Sequence, residues 1–170
     1  YALTKYAGER YCQIFYQLYG LETVCLRYFN VFGPNQNPNS EYSAVIPKFI
    51  NLMLSKQSPV IYGDGLQSRD FTYIENVINA NLLACNTDRI AGQVFNIASG
   101  ERFSLSTLVE KVNKILNSNI TPTFAPPRAG DVEHSLADIK KTKEYMNYEP
   151  TVRFEEGLRR LIDHLNHQKI

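Results

Sequence analysis

Thr23-Val24-Cys25-Leu26-Arg27-Tyr28-Phe29 is a near-unbroken apolar run carrying a single charge. A strand half exposed to water alternates apolar and polar residues, whereas a strand covered on both faces does not. The run therefore predicts a strand inside a parallel sheet. The residues before it supply one cover. Over 1–19, Ala7, Tyr11, Ile14 and Leu18 make one stripe at helical spacing, Cys12, Phe15, Tyr16 and Tyr19 make a second, and Gly20 offers a stop. A helix apolar on two sides needs two partners, one of which can be another subunit.

Strand and helix keep alternating beyond the run. Residues 30–43, NVFGPNQNPNSEYS, form a polar, Pro- and Asn-rich loop longer than most connections, which raises its standing as a binding loop. A helical period resumes over 45–56 through Val45, Phe49, Met53 and Leu54, with Pro47 in the first turn where it is tolerated. PVIYG (59–63) is a short strand and RDFTYI (69–74) an extended stretch, followed by a helix through Val77, Ile78, Asn81, Leu82 and Cys85. QVFNIA (93–98) is a second buried strand, and Ser104 can cap a helix carrying Leu105, Leu108 and Val112. PTFAPPRAGD (122–131) runs from a strand into a Pro/Gly turn. Two helices close the chain, one opened by Asp138 and one carrying Phe154, Leu158 and Leu161. The pattern is that of an α/β protein.

With 170 residues, 44% hydrophobic and 21% charged, the chain can bury a real core. A formal charge of +1 gives no electrostatic case for nucleic acid or a membrane surface. The three cysteines, Cys12, Cys25 and Cys85, have no metal-like spacing and read as free buried thiols of a reducing compartment. No apolar run reaches membrane-spanning length and no signal-peptide pattern is visible, so the expected location is the cytoplasm. Also absent is a strand followed by a Gly-rich turn and a helix, the sign of a dinucleotide phosphate site. YGDGLQSRD (62–70) offers only G-x-G with no helix directly after it.

The chemistry begins with Tyr1 and Lys5, which share one helix face a turn apart. A phenol titrates near ~10 and is a poor base at neutral pH. A neighbouring ammonium favours the phenolate, which can then take a proton from a sugar or alcohol hydroxyl while hydride leaves the carbon. Tyr-x-x-x-Lys also arises by chance in many helices, and alone it decides nothing. Asn30 ends the strand run with an amide suited to a phosphate or sugar oxygen, or equally to capping its own turn. Glu9 reads as a helix-face charge, His134 and Asp64 as loop residues with no evident partner, and His164 and His167 as solvated.

Taken in order, YALTKYAGE (1–9), LRYFNVFGPNQNP (26–38), AVIPKFI (44–50), IYGDGLQSRDFTYIENV (61–77), FNIASGERFSL (95–105), PRAGDVEHSLADI (127–139) and FEEGLRRLID (154–163) carry a resemblance along almost the whole chain. The chain resembles the second half of the extended short-chain dehydrogenase/reductase family, and more narrowly its NAD-dependent nucleotide-sugar epimerases. The resemblance implies that Tyr1 is the catalytic tyrosine and Lys5 its partner, both touching NAD, with the backbone near Tyr28 beside the nicotinamide. Asn30 would contact the nucleotide sugar. Arg69 and Arg128 match the diphosphate-binding arginines, a role that suits bidentate guanidinium groups, though most arginines are simply solvated. Asp131 matches the carboxylate that takes the ribose hydroxyls, and is also a natural turn residue after Gly130. Ala44 and Val45 would bring backbone to the uracil, Lys48 would reach a phosphate, and Val60, Ile61 and Tyr62 would wall the base, with core packing as the plainer role for Val45 and Ile61. Ser135 would face the sugar, leaving room for an N-acetyl group where a bulky aromatic would exclude it.

The implied fold is the C-terminal half of a Rossmann-type doubly wound parallel sheet, with the last sheet elements and catalytic helix in 1–33 and a smaller α/β nucleotide-sugar lobe mainly in 34–170, residues 70–100 partly returning to the sheet. The implied activity is NAD-dependent C4 epimerisation of a UDP-sugar through a 4-keto intermediate, with UDP-GlcNAc/UDP-GalNAc ahead of UDP-glucose/UDP-galactose and no metal. A homodimer through helix 1–19 is also implied. The missing N-terminal half would hold the Gly-rich turn, most of the NAD site and a catalytic Ser or Thr, and the 170 residues alone would be inactive. Two other readings stand beside this one. A nucleotide-sugar 4,6-dehydratase or UDP-glucuronate decarboxylase shares Tyr-x-x-x-Lys and most of the lobe, although PRAGDVEHSLAD is more epimerase-like. A non-catalytic nucleotide-sugar-binding remnant fits the 170 residues taken literally.

Overall fold

The computed structural model describes residues 1–37 and 45–167. Helix α1 (Ala2–Tyr19) stops at Gly20, whose φ of 66° is left-handed and whose N–H donates to Tyr16 O at 3.0 Å. A residue without Cβ takes that conformation without steric cost. Then follow β1 (Cys25–Tyr28), β2 (Val31–Phe32), α2 (Val45–Leu54), β3 (Val60–Tyr62), β4 (Ser68–Arg69), β5 (Thr72–Tyr73), α3 (Ile74–Asn86), β6 (Val94–Ile97), β7 (Phe103–Ser104), α4 (Leu105–Leu116), β8 (Thr123–Ala125), α5 (Lys140–Met146) and α6 (Phe154–His167).

The expected alternation is present, and Ser104 caps α4 by accepting from the Thr107 N–H at 3.0 Å. Two local expectations change. The extended stretch 69–74 is divided between two short strands, because Asp70 between them turns its carboxylate into the protein. The helix expected to open at Asp138 has Ile139 as its N-cap, and Asp138 accepts from the Lys140 N–H at 2.9 Å from just outside.

β1 and β6 pair in parallel, Cys25 opposite Val94 through Tyr28 opposite Ile97. β2–β5 and β3–β8 are also parallel, and β4–β7 is antiparallel. The TVCLRYF run has an element on each face but is only partly buried, with Arg27 and Tyr28 exposed, short of the full burial its composition predicts. On one face Leu26 packs with Val77, Phe95 and Ile97 beneath α3. On the other lies α1. Glu9 takes a two-pronged bond from Arg27, 2.7 Å at each oxygen, and Thr23 Oγ1 donates to Cys12 O at 2.9 Å. The Arg27 guanidinium holds the Glu9 carboxyl below the usual range.

Cys12 and Cys25 meet between α1 and β1, where burial and the neighbouring thiol push Cys25 up to about 11. Both are half-buried and Cys85 is exposed, so the buried-thiol expectation fails for Cys85, which lies on the outer face of α3. α1 contributes no buried residue, and Tyr11, Phe15, Leu18 and Tyr19 remain exposed along it.

A second core lies in the lobe, where Ile46 and Ile50 of α2, Leu108 of α4 and Phe154 and Leu158 of α6 are buried together. Each such side chain contributes about 1.5–3 kcal/mol on leaving water. Gly157 lets α6 come close, since a Cβ there would lie 2.8 Å from the Phe32 ring and 2.9 Å from that of Tyr73. A small third cluster, Ala98, Ala137 and Ile139 with Phe29, joins the end of β6 to the segment before α5.

Candidate functional site

The contacts between α1 and β1 fix where the Tyr1–Lys5 pair lies. Cys12 meets Thr23 and Glu9 meets Arg27, so the helix runs antiparallel to the strand. Four helical residues rise about 6 Å, the length of roughly two strand residues. Lys5 therefore stands level with the end of β1, and Tyr1 lies beyond it. This is the carboxyl edge of a parallel sheet, where open α/β folds bind ligands. Both residues are exposed, and Lys5 Nζ sits 5.3 Å from the Tyr1 ring centroid. Tyr28 ends β1 on the opposite face, and its hydroxyl donates to Asn81 Oδ1 at 3.0 Å. Its side chain is thus engaged by α3.

Asn30 stands at the same edge with φ 34°, in the left-handed region that asparagine tolerates better than most residues. Conformation therefore favours this residue type as well as chemistry. Its backbone carbonyl accepts from Thr72 N–H at 3.2 Å. Its Nδ2 donates to Asp70 O at 3.0 Å and, more loosely, to Ser135 Oγ at 3.4 Å. Asn30 and Ser135, 105 residues apart, thus meet in space. Ser135 is held by its own N–H, which donates to Ser68 O at 3.0 Å.

A cleft lies further along the lobe, lined by Tyr62, Gly63, Asp64, Gln67, Arg128 and Asp131 among others. The parallel β3–β8 pair builds it. Tyr62 lies opposite Ala125, Gly63 N–H donates to Ala125 O at 2.8 Å, and two prolines carry the chain to Arg128. The Arg128 guanidinium then covers the Tyr62 ring at 3.9 Å from its centroid. Bonding to Arg128, its charge and that of Lys48 hold the Tyr62 phenol below its usual range. Lys48 is exposed in the first turn of α2 and does not line the cleft. Arg69 donates through Nη1 to Ser68 O at 3.0 Å and Glu133 O at 3.1 Å, and through Nη2 to Asp131 Oδ1 at 3.3 Å. The fold thus brings Arg69, Arg128 and Asp131 to one loop cluster.

The remaining expected contacts divide. Val60 is exposed, while Ile61 is wholly buried and packs the lobe interior with its side chain. Val45 is half-buried against the lobe core. Ala44 lies outside the described residues. His134, which showed no partner in sequence, has Ser68 Oγ 2.9 Å from Nδ1 and Glu133 Oε1 3.6 Å from Nε2. Among the described residues, no group of three or more His, Cys, Asp or Glu could hold a metal ion, and no helix is long and apolar enough to cross a membrane.

Sequence reasoning passed over three residues. Asp70 is 0% exposed and gathers four donors. Its only signal was a charge set into an extended stretch next to Arg69. Gln67 spans the turn after β3, donating to Tyr62 O and leaving its buried Oε1 without a partner. Asn81 holds Tyr28 from inside α3, with no sequence signal beyond an amide at a helical position.

The model of the NAD dependent epimerase/dehydratase family matches residues 1–98. A putative UDP-glucose 4-epimerase from Methanocaldococcus jannaschii is 38% identical over 163 residues, covering 96% of this chain and 52% of that protein. A UDP-N-acetyl-alpha-D-glucosaminuronate decarboxylase from Bacillus cytotoxicus is 30% identical over 168 residues, covering 95% and 51%. The solved structure of UDP-N-acetylglucosamine 4-epimerase from Methanobrevibacter ruminantium M1, in complex with UDP-N-acetylmuramic acid, superposes with a TM-score of 0.93 at 44% identity, covering 99% of this chain and 54% of that one. The expected fold, one half of a Rossmann-type epimerase, is the fold found. The chain spans about half the length of the curated relatives it matches. On the family match and this superposition, the chain belongs to the NAD-dependent epimerase/dehydratase family.

Proposed function

We propose that the protein carrying this chain interconverts C4 epimers of a UDP-sugar in the cytoplasm, taking UDP-GlcNAc/UDP-GalNAc in preference to UDP-glucose/UDP-galactose. The observation that carries the reading is the meeting of Asn30 and Ser135 at the sheet edge toward which α1 delivers Tyr1 and Lys5. Proton-accepting, sugar-orienting and size-setting groups then surround one point. The exposed Lys5 ammonium and the exposed end of β1 fit NAD, Lys5 holding ribose hydroxyls beside Tyr1 and the Tyr28 backbone bordering the nicotinamide. NAD, when bound, supplies the acceptor and donor of hydride at the sugar carbon. Tyr1 takes the proton of the 4-hydroxyl and returns it after the 4-keto sugar has turned. Arg128, Lys48 and Arg69 neutralise the diphosphate, Asp131 takes ribose hydroxyls, and Tyr62 and Val60 flank the base.

A decarboxylase reading is favoured by two decarboxylases among the relatives. Sugar-proton NMR of the full-length gene product, incubated separately with UDP-GlcNAc, UDP-glucose and UDP-glucuronate, separates the two readings. A C4 epimer is expected. A 6-deoxy-4-keto product, or turnover of a UDP-uronate to a pentose alone, would replace the epimerase reading. In the same assay Ser135→Tyr should lower UDP-GlcNAc turnover relative to UDP-glucose by about 10–200-fold, a steric discrimination of the usual size. An unchanged ratio would remove Ser135 from the sugar pocket.

The exposed Tyr11, Phe15, Leu18 and Tyr19 of α1 support a homodimer through this helix. Tyr11→Asp or Phe15→Asp should shift the full-length protein from dimer toward monomer in sedimentation equilibrium, because each sets an unpaired charge into the contact. Unchanged mass for both variants would sink the dimer.

A further inference from the structure

The Asp70 carboxylate stands where three stretches of chain converge. Oδ1 accepts from the Ser99 N–H at 2.9 Å and the Ser99 hydroxyl at 2.6 Å. Oδ2 accepts from the Gly100 N–H at 3.1 Å and the Ala137 N–H at 3.3 Å. Ser99 and Gly100 follow β6 on the sheet side, while Ala137 lies two residues after Ser135. Asp70 also offers its backbone carbonyl to Asn30 Nδ2 at 3.0 Å, and it directly follows Arg69. One buried residue is therefore bonded to Asn30, adjacent to Arg69, and tied through Ala137 to the segment that carries Ser135. Such a carboxylate is costly to bury unless its lone pairs are filled, and here donors from two segments fill them.

We infer that Asp70 is a positioning residue for sugar recognition, its carboxylate locking the segment that carries Ser135 to the end of β6 so that Asn30 and Ser135 face the sugar in fixed register. The inference rests on the proposed function. It also goes beyond it, because Asp70 is fully buried and acts only through Asn30 and Ser135. Its two oxygens have separable duties. Oδ1 serves Ser99 alone, whereas Oδ2 joins the Ser135 segment to Gly100. Asp70→Asn keeps a carbonyl oxygen for the two Ser99 donors and turns an NH2 group toward the two N–H donors of Gly100 and Ala137. It thus releases the Ser135 segment while leaving the Ser99 side bonded. Ser99→Ala does the reverse, removing one donor from Oδ1 and leaving Oδ2 untouched.

Both variants are to be made in the full-length gene product and read in two ways. Hydrogen exchange at residues 135–137 should quicken at least about tenfold in Asp70→Asn, with α4 amides unchanged, because the lost bond opens that segment locally. In kinetics, kcat/KM for UDP-GlcNAc should fall about 10–100-fold, the effect of a misplacement near one ångström. The Kd for UDP should stay within about threefold, since the base and ribose contacts lie elsewhere in the cleft. The UDP-GlcNAc to UDP-glucose preference should narrow, and Ser99→Ala should keep both the preference and the exchange pattern. Unchanged exchange at 135–137 overturns the inference. So does faster exchange with kcat/KM and preference intact, which would leave Asp70 a purely structural group, as would an equal loss of UDP and UDP-sugar affinity. A wild-type protein that binds UDP yet turns over neither sugar overturns the proposed function itself, and this inference with it.

Discussion

Tyr1→Phe in the full-length gene product is expected to lower C4 epimerisation by about 10²–10⁴-fold, the usual worth of a positioned general acid–base group. The change removes one oxygen. The ring stays, and Lys5, whose Nζ lies 5.3 Å from its centroid, keeps its place on the same helix face. Tyr1 is 80% exposed, so packing in the described residues does not depend on it and thermal stability should hold. UDP-sugar affinity should also hold, since the groups read as binding the nucleotide belong to the lobe. The expected signature is therefore a fall in kcat with little change in KM, which marks an interaction made in the transition state rather than in binding. Following the sugar protons by NMR beside a thermal melt reads both. A variant keeping a tenth or more of wild-type turnover would remove Tyr1 from the proton transfer, and a large rise in KM alone would recast it as a binding residue.

Much of this arrangement was legible in the sequence, for reasons that differ from residue to residue. The TVCLRYF run announced a parallel strand, but its composition overstated the burial, since Arg27 and Tyr28 are exposed. Gly20 and Ser104 announced helix ends because a left-handed stop and a hydroxyl cap each demand particular residue types. Tyr1 and Lys5 were legible as a pair on one helix face, whereas Arg69 and Arg128 were legible as candidates but not as neighbours. Nothing local says that Arg69 and Asp131, 62 residues apart, share a bond, because the parallel strand β8 and the turn after it are what bring residue 131 back to β4. Asp70 was hidden for the opposite reason. A lone aspartate in an extended stretch reads as solvated, and only the tertiary fold shows its oxygens meeting donors from residues 99, 100 and 137. The exposed face of α1 was foreseen as two stripes, since periodicity reveals an apolar face whether or not its partner is in view.

Phe154→Ala is expected to destabilise the full-length protein by about 3–5 kcal/mol, the usual cost of deleting a buried aromatic ring. The packing around the ring puts the value near the top of that range. Phe154 is 3% exposed at the start of α6, stacked on Phe103 with centroids 4.4 Å apart and on Phe71 at 5.3 Å, and set edge-on to Phe32 at 5.8 Å. Those three rings lie beneath the site. Phe32 of β2 lies two residues after Asn30, Phe71 follows Asp70, and Phe103 pairs with Arg69 across β4–β7. Removing the central ring leaves a void that none of the three can fill without dragging its own strand, so the surroundings cannot collapse cheaply. The same connection predicts a functional effect at temperatures where the variant is still folded. UDP affinity should fall, because Arg69 loses the support under its strand partner. Phe154→Leu, which keeps much of the volume, should cost about half as much in stability and restore most of the affinity. Urea unfolding and calorimetric titration with UDP check the two together. A Phe154→Ala protein with unchanged unfolding midpoint would show that the aromatic cluster does not bear on the fold. A destabilised variant with wild-type UDP affinity would show that the strands carrying the site are held from elsewhere.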